Sequence, residues 1–296
     1  MTELLEISDL NVTFETRFRS VSAVRGVNLS VSQGESVALV GASGSGKTVL
    51  GRSILGLVDE PGVVRGSIIF DGKQIVGRSE NALREIRGIG AAMVFQDALD
   101  GLNPVYSVGS QLSEILTVRL GYTRARAKEH AIELMRQVGI RDPETRFSNY
   151  PHQFSGGMRQ RICIALAVGM QPKLLIADEP TTALDVTVQA GILRLIKKLQ
   201  VETGMGLIFV THDLAVAREV SKRMVVMYNG QIVEEGPTEV VFSNPQHPYT
   251  KALLSAHPAR AKIWRDLEPI PEQFVTDGPS SGSQTVAAPA PTASIV

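Results

Sequence analysis

The 296 residues carry 43% hydrophobic and 20% charged side chains, an ordinary balance that fills a sizeable core in one large domain or two small ones. Thirty basic against thirty acidic side chains leave no net charge, which removes any global attraction to nucleic acid. The one cysteine, Cys163, excludes an internal disulfide and a thiolate metal cluster and suits a reducing compartment.

The N-terminus, Met1-Thr2-Glu3-Leu4-Leu5-Glu6, is acidic and only briefly apolar, unlike a secretion signal. No uninterrupted apolar run approaches the ~18–20 residues of a membrane span, so a cytoplasmic chain is expected. From Leu4 to about Val31 apolar and polar residues alternate, as in Leu10-Asn11-Val12-Thr13-Phe14 and Val27-Asn28-Leu29-Ser30-Val31, the period of half-buried strands. Ser36-Val37-Ala38-Leu39-Val40 then reads as a short buried strand, and Leu50, Ile54, Leu57 and Val58 recur at helical spacing.

Between that strand and that helix lies Gly41-Ala42-Ser43-Gly44-Ser45-Gly46-Lys47-Thr48, which fits the phosphate-loop pattern in the context the pattern needs. Glycines let consecutive backbone N–H groups face one anion, and the helix N-terminus adds partial positive charge. Lys47 is expected to reach the β- and γ-phosphates of a nucleoside triphosphate, and the Thr48 hydroxyl to ligate magnesium. A third strand, Ser67-Ile68-Ile69-Phe70, ends at the turn Asp71-Gly72 and completes an antiparallel sheet beside this loop. Phe18 is the candidate to stack on adenine and Phe14 its rival, although a half-buried strand aromatic accounts equally well for both.

Ala92-Met93-Val94-Phe95 is a buried strand that runs into Gln96. The loop from Asp97 to Pro104 then leads into helices, one of them marked by Ala131, Leu134 and Val138 and stopped at Gly139. A helical insertion over about 97–170 is expected. At its end, Ser155 of Phe154-Ser155-Gly156-Gly157-Met158-Arg159-Gln160-Arg161 can cap a helix whose first glycines expose N–H groups, a second anion site. Leu174-Leu175-Ile176-Ala177 is a continuous apolar strand ending in Asp178-Glu179-Pro180, where open α/β sheets place their ligands. Asp178 is expected to hold the magnesium and Glu179 to polarise the attacking water. A helix striped by Val188, Ile192, Leu195, Ile196 and Leu199 and the strands Leu207-Ile208-Phe209-Val210 and Val225-Val226-Met227-Tyr228 complete an α/β core. From about Asp277 the composition is Ser, Gly, Pro, Ala and Thr, which reads as a disordered tail after an extension over 256–276.

In combination these stretches resemble the ATP-binding cassette ATPases of membrane transporters over about residues 4–255. Gly41 to Thr48 is similar to their Walker A loop, Gln96 to the Q-loop glutamine, and Ser155-Gly156-Gly157-Met158 to the signature, with Met158 where Gln is commonest. Leu174 to Glu179 is similar to Walker B, Ala183-Leu184-Asp185 to the D-loop, and His212 in Thr211-His212-Asp213 to the switch histidine. The resemblance implies a P-loop NTPase of ABC type, with a RecA-like core, an antiparallel β-subdomain and an inserted helical subdomain in an ATPase domain spanning 1–255. It also implies ATP and magnesium, and a head-to-tail pair of cassettes in which Ser155 and Gly157 serve the partner's γ-phosphate, with Gly156 and Asp185 also among the nucleotide-binding residues. Gln96 would sense magnesium and water and hinge the helices, and His212 would contact the γ-phosphate beside Glu179.

Phe95-Gln96-Asp97, Leu102-Asn103-Pro104-Val105 and Asn244-Pro245-Gln246-His247-Pro248-Tyr249-Thr250 narrow the resemblance to the ATPase subunits of oligopeptide and dipeptide importers. Taken as physics alone, the last stretch is a Pro-punctuated loop opening a surface helix. The subfamily implies a second, related cassette, two membrane permeases, an extracytoplasmic binding protein reached indirectly, and a place on the cytoplasmic face of the membrane. Many of its members carry a cysteine-rich segment that holds an iron–sulfur cluster. The corresponding stretch here, about Ile270 to Ser283, has no cysteine, so no cluster is expected. Import of nickel or short sugars, an exporter ATPase, a nucleotide-binding cassette without hydrolysis, and a soluble cassette acting on DNA or ribosomes are the rival readings.

Overall fold

The computed structural model describes residues 3–17, 19–96, 101–182 and 184–256, together with Pro271 and Phe274. The alternating N-terminal residues form β1 (Glu3–Glu15) and β2 (Ser20–Ser32), antiparallel, with Glu3 opposite Ser32 and Glu15 opposite Ser20. Their inward positions Leu5, Ile7, Leu10, Val12, Val27, Leu29 and Val31 are all buried, the alternation on β1 being broken once, between Ile7 and Leu10, where Asp9 takes φ +44° and the register shifts. β3 (Ser36–Val40), buried at every position, delivers the chain to the glycine-rich loop, and α1 (Lys47–Ile54) follows it. This helix is shorter than its apolar spacing predicts. It stops because Gly56 turns the backbone to φ +61°, and Leu57 and Val58 pack on the same apolar cluster from outside the helix.

β4 (Gly62–Phe70) and β5 (Lys73–Gln74) complete a four-stranded antiparallel sheet in the order β2-β1-β4-β5. After α2 (Glu80–Ile86) and β6 (Ala91–Val94), the described chain from Val108 to Val168 is helical. It comprises α3 (Val108–Leu120), α4 (Arg124–Gln137), α5 (Pro143–Arg146), a 3-10 turn at Pro151–Gln153 and α6 (Gly156–Val168). Gly139, at φ +79°, stands just past the end of α4, where the sequence places a stop. β7 (Leu174–Asp178), α7 (Val186–Thr203), β8 (Gly206–Thr211), α8 (Leu214–Val220), β9 (Arg223–Tyr228), β10 (Gln231–Pro237), α9 (Thr238–Ser243) and α10 (Pro248–Ser255) complete the described elements.

The second sheet runs β10-β9-β3-β8-β7-β6, parallel throughout except for β10. β3, β7 and β8 are buried along their whole length, which is why Leu174–Ala177 and Leu207–Val210 read as continuous apolar runs and Ser36–Val40 as a short buried strand. α1 lies between the two sheets, touching β7 and β8 on one side and β2 and β4 on the other. Its Leu50 and Ile54 are fully buried there, each contributing about 1.5–3 kcal/mol. The opposite face of the parallel sheet carries α6 to α8, whose apolar residues share a cluster with α3 and α4. The fold is thus α/β of the P-loop type, with an antiparallel sheet at one side and a helical segment at the other.

Arg223 ties the two sheets together. Its guanidinium bonds Glu35 at 2.7 Å and also reaches Glu235 and the Ser30 carbonyl of β2.

Candidate active site

β3, β7 and β8 end side by side, so three loops meet at one edge of the parallel sheet. The glycine-rich loop is the first. Gly41 and Gly46 both have positive φ, and a side chain at either has no room. A Cβ on Gly41 would stand 2.3 Å from the Met227 carbonyl oxygen, and one on Gly46 would stand 2.3 Å from that of Ala23. The loop is therefore wedged between β9 and β2. Ser45 and Gly46 are buried, whereas Ser43 and Gly44 are exposed at its outer turn.

Lys47 opens α1 and is only 4% exposed. Its ammonium donates to the Gly41 carbonyl at 2.9 Å, the Ala42 carbonyl at 2.8 Å and the Ser45 hydroxyl at 3.4 Å, curling back over the loop. Burial pulls its pKa below the ordinary lysine value, against the opposing pull of Glu179 and Asp178. An anion laid in the loop would meet this ammonium with little water between.

The second loop follows β7. Asp178 is buried and accepts from the Thr48 hydroxyl at 3.0 Å, which joins the strand end to the first turn of α1. Burial pushes the Asp178 carboxyl up, partly offset by that hydrogen bond. Two hard oxygen donors, a hydroxyl and a carboxylate, thus sit beside the phosphate loop, a donor set that suits magnesium completed by substrate oxygens and water. Among the described residues, no group of three or more His, Cys, Asp or Glu gathers to hold a metal by itself.

Glu179 comes next, with φ +44° and its N–H held by the Val210 carbonyl of β8 at 3.0 Å. That turn aims the side chain away from the strand axis into a ring of partners. The Gln96 amide lies 3.4 Å from one carboxylate oxygen, the Thr182 hydroxyl donates to the same oxygen at 3.0 Å, and His212 Nδ1 is 3.2 Å from the other. Gln96 and His212 enter from the ends of β6 and β8, and both are exposed while Glu179 is half-buried. Lys47, Thr48, Asp178, Glu179, Gln96 and His212, drawn from both halves of the chain, are brought to one edge.

The remaining expected residues stand elsewhere or are already engaged. Ser155 caps α6, accepting from the Met158 N–H at 3.4 Å, and Gly157 packs so closely on Val188 that a Cβ would come within 2.4 Å of its methyl. Asp185 caps α7 by accepting from the Val188 N–H at 2.9 Å. Phe14 is partly buried in the apolar cluster between the sheets, so its ring serves packing, and Phe18, Asp97 and Ala183 lie outside the described residues.

The arrangement has close relatives. A protein-family model described as "ABC transporter" matches residues 24–182, more than half of the chain.

The chain belongs to the ABC transporter family.

A second model, "Oligopeptide/dipeptide transporter, C-terminal region", matches residues 233–278. Among ABC proteins, the oligopeptide transport ATP-binding protein OppD of Bacillus subtilis is 48% identical over 260 residues, covering 87% of this chain and 73% of its own. The dipeptide transport ATP-binding protein DppD of Escherichia coli is 46% identical over 269 residues, covering 90% of this chain and 82% of its own. Of the solved ABC structures, the dimeric cassette MJ0796 bound to ADP and Pi superposes with a TM-score of 0.71 at 28% identity, over 79% of this chain and 98% of that one. CbiO1 from Clostridium perfringens gives 0.69 at 28% identity, over 82% and 92%. The chain is accordingly an ATP-binding ABC ATPase, and none of its described helices is long and apolar enough to cross a membrane.

Two residues of the site escape sequence reasoning. Thr182 carries a readable signal, a hydroxyl three positions after Glu179. Tyr249 does not, because it bonds the N–H of Ala42 in the phosphate loop, 207 residues away. The stretch through His247 is a loop that opens a helix lying at the surface, α10, as physics alone suggests, but one face of that helix is buried. Its buried residues are Tyr249, Thr250, Leu253 and Leu254.

Proposed function

We propose that this chain is the ATP-hydrolysing subunit of an importer for peptides, working as one of two cassettes beneath a pair of membrane permeases. The convergence of Lys47, Thr48, Asp178, Glu179, Gln96 and His212 at one sheet edge carries the hydrolytic half of this reading. The match of residues 233–278 to an oligopeptide/dipeptide transporter region supports peptides over nickel, short sugars or export.

ATP would lie with its phosphates against the N–H groups of Gly41 to Thr48, displacing Lys47 from the Gly41 and Ala42 carbonyls toward the β- and γ-phosphates. Thr48 and Asp178 would hold magnesium, with Gln96 completing the shell from the helical side. The ion would supply charge neutralisation across the phosphate oxygens. Glu179 would orient and deprotonate the attacking water, held in aim by Thr182, His212 and Gln96. His212, exposed and 3.2 Å from Glu179, is placed to reach the γ-phosphate as well. Little covalent help is needed for phosphoryl transfer, so positioning and electrostatics suffice.

Ser155, Gly156 and Gly157 would act in the partner's site, where the bare start of α6 faces the γ-phosphate across a head-to-tail interface, and Asp185 would line that interface. Closure of the pair on ATP and opening after hydrolysis would make each cycle a population shift. We take residues 1–255 as the ATPase domain, about 97–170 as its inserted helical part, 256–276 as an extension and 277–296 as a tail. Magnesium-dependent hydrolysis, a related but non-identical partner cassette, an indirectly engaged binding protein and a place on the cytoplasmic membrane face belong to the same proposal.

Co-isolation of the chain from native membranes, with mass spectrometry of every associated polypeptide, tests this. Two multi-span permeases are expected, with a second cassette. Recovery only in the soluble fraction with ribosomes or DNA would overturn the transport role and leave the ATPase standing.

A further inference from the structure

The Gly41–Ala42 peptide unit is gripped at both ends. Its carbonyl accepts from Lys47 at 2.9 Å, and its N–H donates to the Tyr249 hydroxyl at 2.8 Å. Gly41 cannot move toward β9, because the Met227 carbonyl already fills the place of a Cβ. The tilt of this peptide therefore decides where the loop's first carbonyl points, and that carbonyl is one of the two holding the phosphate-seeking lysine. Among the described residues the phenol is the acceptor for the Ala42 N–H, and without it the peptide gains freedom to rotate.

Three consecutive residues deliver the hydroxyl. His247 caps α10, its Nδ1 accepting from the Tyr249 N–H at 3.1 Å, and Pro248 takes the first helical position, where a missing N–H costs nothing. Glu234 on β10 anchors the cap by accepting from the N–H groups of Gln246 at 2.7 Å and His247 at 3.0 Å. The Tyr249 ring is fully buried, with the Tyr228 ring centroid at 4.4 Å and that of Phe274 at 5.8 Å. A ring needed only for packing would do as well without an oxygen, since a buried hydroxyl is unfavourable unless bonded. The bond this oxygen makes is to the phosphate loop.

We propose that Tyr249 is a positioning residue of the ATP site, its hydroxyl holding the Gly41–Ala42 peptide in the orientation in which the loop accepts the triphosphate. The inference rests on the reading of this loop as the ATP cradle. It makes the C-terminal segment a determinant of nucleotide affinity.

The test uses the full chain and its Tyr249→Phe and Phe274→Ala variants. Tyr249→Phe keeps the ring and removes the tether, whereas Phe274→Ala loosens the ring's packing and keeps the tether. Binding of fluorescent methylanthraniloyl-ATP is titrated, steady-state ATP hydrolysis is followed, and melting without nucleotide is recorded. A loop that spends about nine-tenths of its time out of the competent arrangement raises the apparent Kd about tenfold. Tyr249→Phe is expected to show that rise in Kd and in KM with kcat within about twofold. Phe274→Ala is expected to melt earlier with Kd within about twofold of wild type.

Wild-type affinity in Tyr249→Phe overturns the proposal, as does a loss of affinity that tracks lost stability equally in both variants. Failure of the wild-type chain itself to bind ATP overturns the loop's assignment and this inference with it. Independently of any variant, the Ala42 amide in wild-type protein should exchange slowly with solvent deuterium. Fast exchange there also overturns the tether.

Discussion

Replacing Gly46 by alanine probes the wedge that shapes the phosphate loop. Gly46 has φ +100°, and its Cβ would stand 2.3 Å from the Ala23 carbonyl oxygen, more than an ångström inside ordinary contact. The obstacle is backbone of β2, pinned by its ladder to β1, so it cannot swing away as a side chain would. Left-handed backbone costs alanine about 1–2 kcal/mol, and the overlap adds about 1–3 kcal/mol more. Gly44 supplies the control, because it shares the backbone strain at φ +79° but has nothing within 4 Å of the added methyl. Gly44→Ala should therefore lose about 1–2 kcal/mol and Gly46→Ala about 2 kcal/mol beyond that. For a chain of this size the difference corresponds to roughly 4–8 °C in melting temperature. Urea unfolding and thermal melting without nucleotide measure both variants. Equal stability of the two would show that the loop is not wedged against β2, and the account of its shape would fail.

Glu179→Gln should retain ATP binding while hydrolysis falls by about 100-fold or more, with an ATP-bound dimer accumulating in light scattering; near wild-type turnover would remove Glu179 from the role of base. Arg223→Met leaves Glu35 and Glu235 without their cation at a partly exposed site and should cost about 2 kcal/mol in urea unfolding, with ATP affinity unchanged; a change in affinity would contradict its assignment as a structural tie. Burial lifts the Tyr249 phenol above its ordinary value, opposed by the Ala42 hydrogen bond. The folded state thus keeps a proton that the unfolded chain sheds near pH 10, and stability is lost as pH rises through that region toward the folded pKa. The stability gap between wild type and Tyr249→Phe should hold below about pH 9.5 and narrow as pH rises above about 10; a constant gap would count against burial of the phenol.

How much of this was legible depended on sequence distance. The phosphate loop could be read because its chemistry lies in eight consecutive residues between a strand and a helix. Asp178 and Glu179 could be read because a buried parallel strand places its last residues at the ligand edge. His212 and Gln96 gained meaning only from family resemblance, since neither has a local pattern that distinguishes it from an ordinary strand-end residue. Tyr249 could not be read because its hydrogen bond joins residues 207 apart in the chain, and nothing local tells the buried face of the helix that Pro248 starts from an ordinary core contact. Helical spacing overran the end of α1, because Leu57 and Val58 keep the apolar rhythm after Gly56 has broken the backbone. The adenine-stacking aromatic stays a proposal, with Phe14 packed between the sheets and Phe18 outside the described residues.

The strand order has a consequence for the way the protein is made. β3, which carries the phosphate loop, sits between β8 and β9, yet it leaves the ribosome long before either. At about 5–20 residues per second, residues 41–205 take roughly 10–30 s to synthesise, and throughout that time a strand buried at every position in the finished fold waits without its hydrogen-bonding neighbours. The antiparallel sheet has no such delay, since β1, β2 and β4 are all complete by Phe70. It can shelter α1 and one face of the waiting strand during translation. On this view the N-terminal sheet is also a nascent-chain shield for the segment most exposed to mispairing while the rest of the cassette emerges.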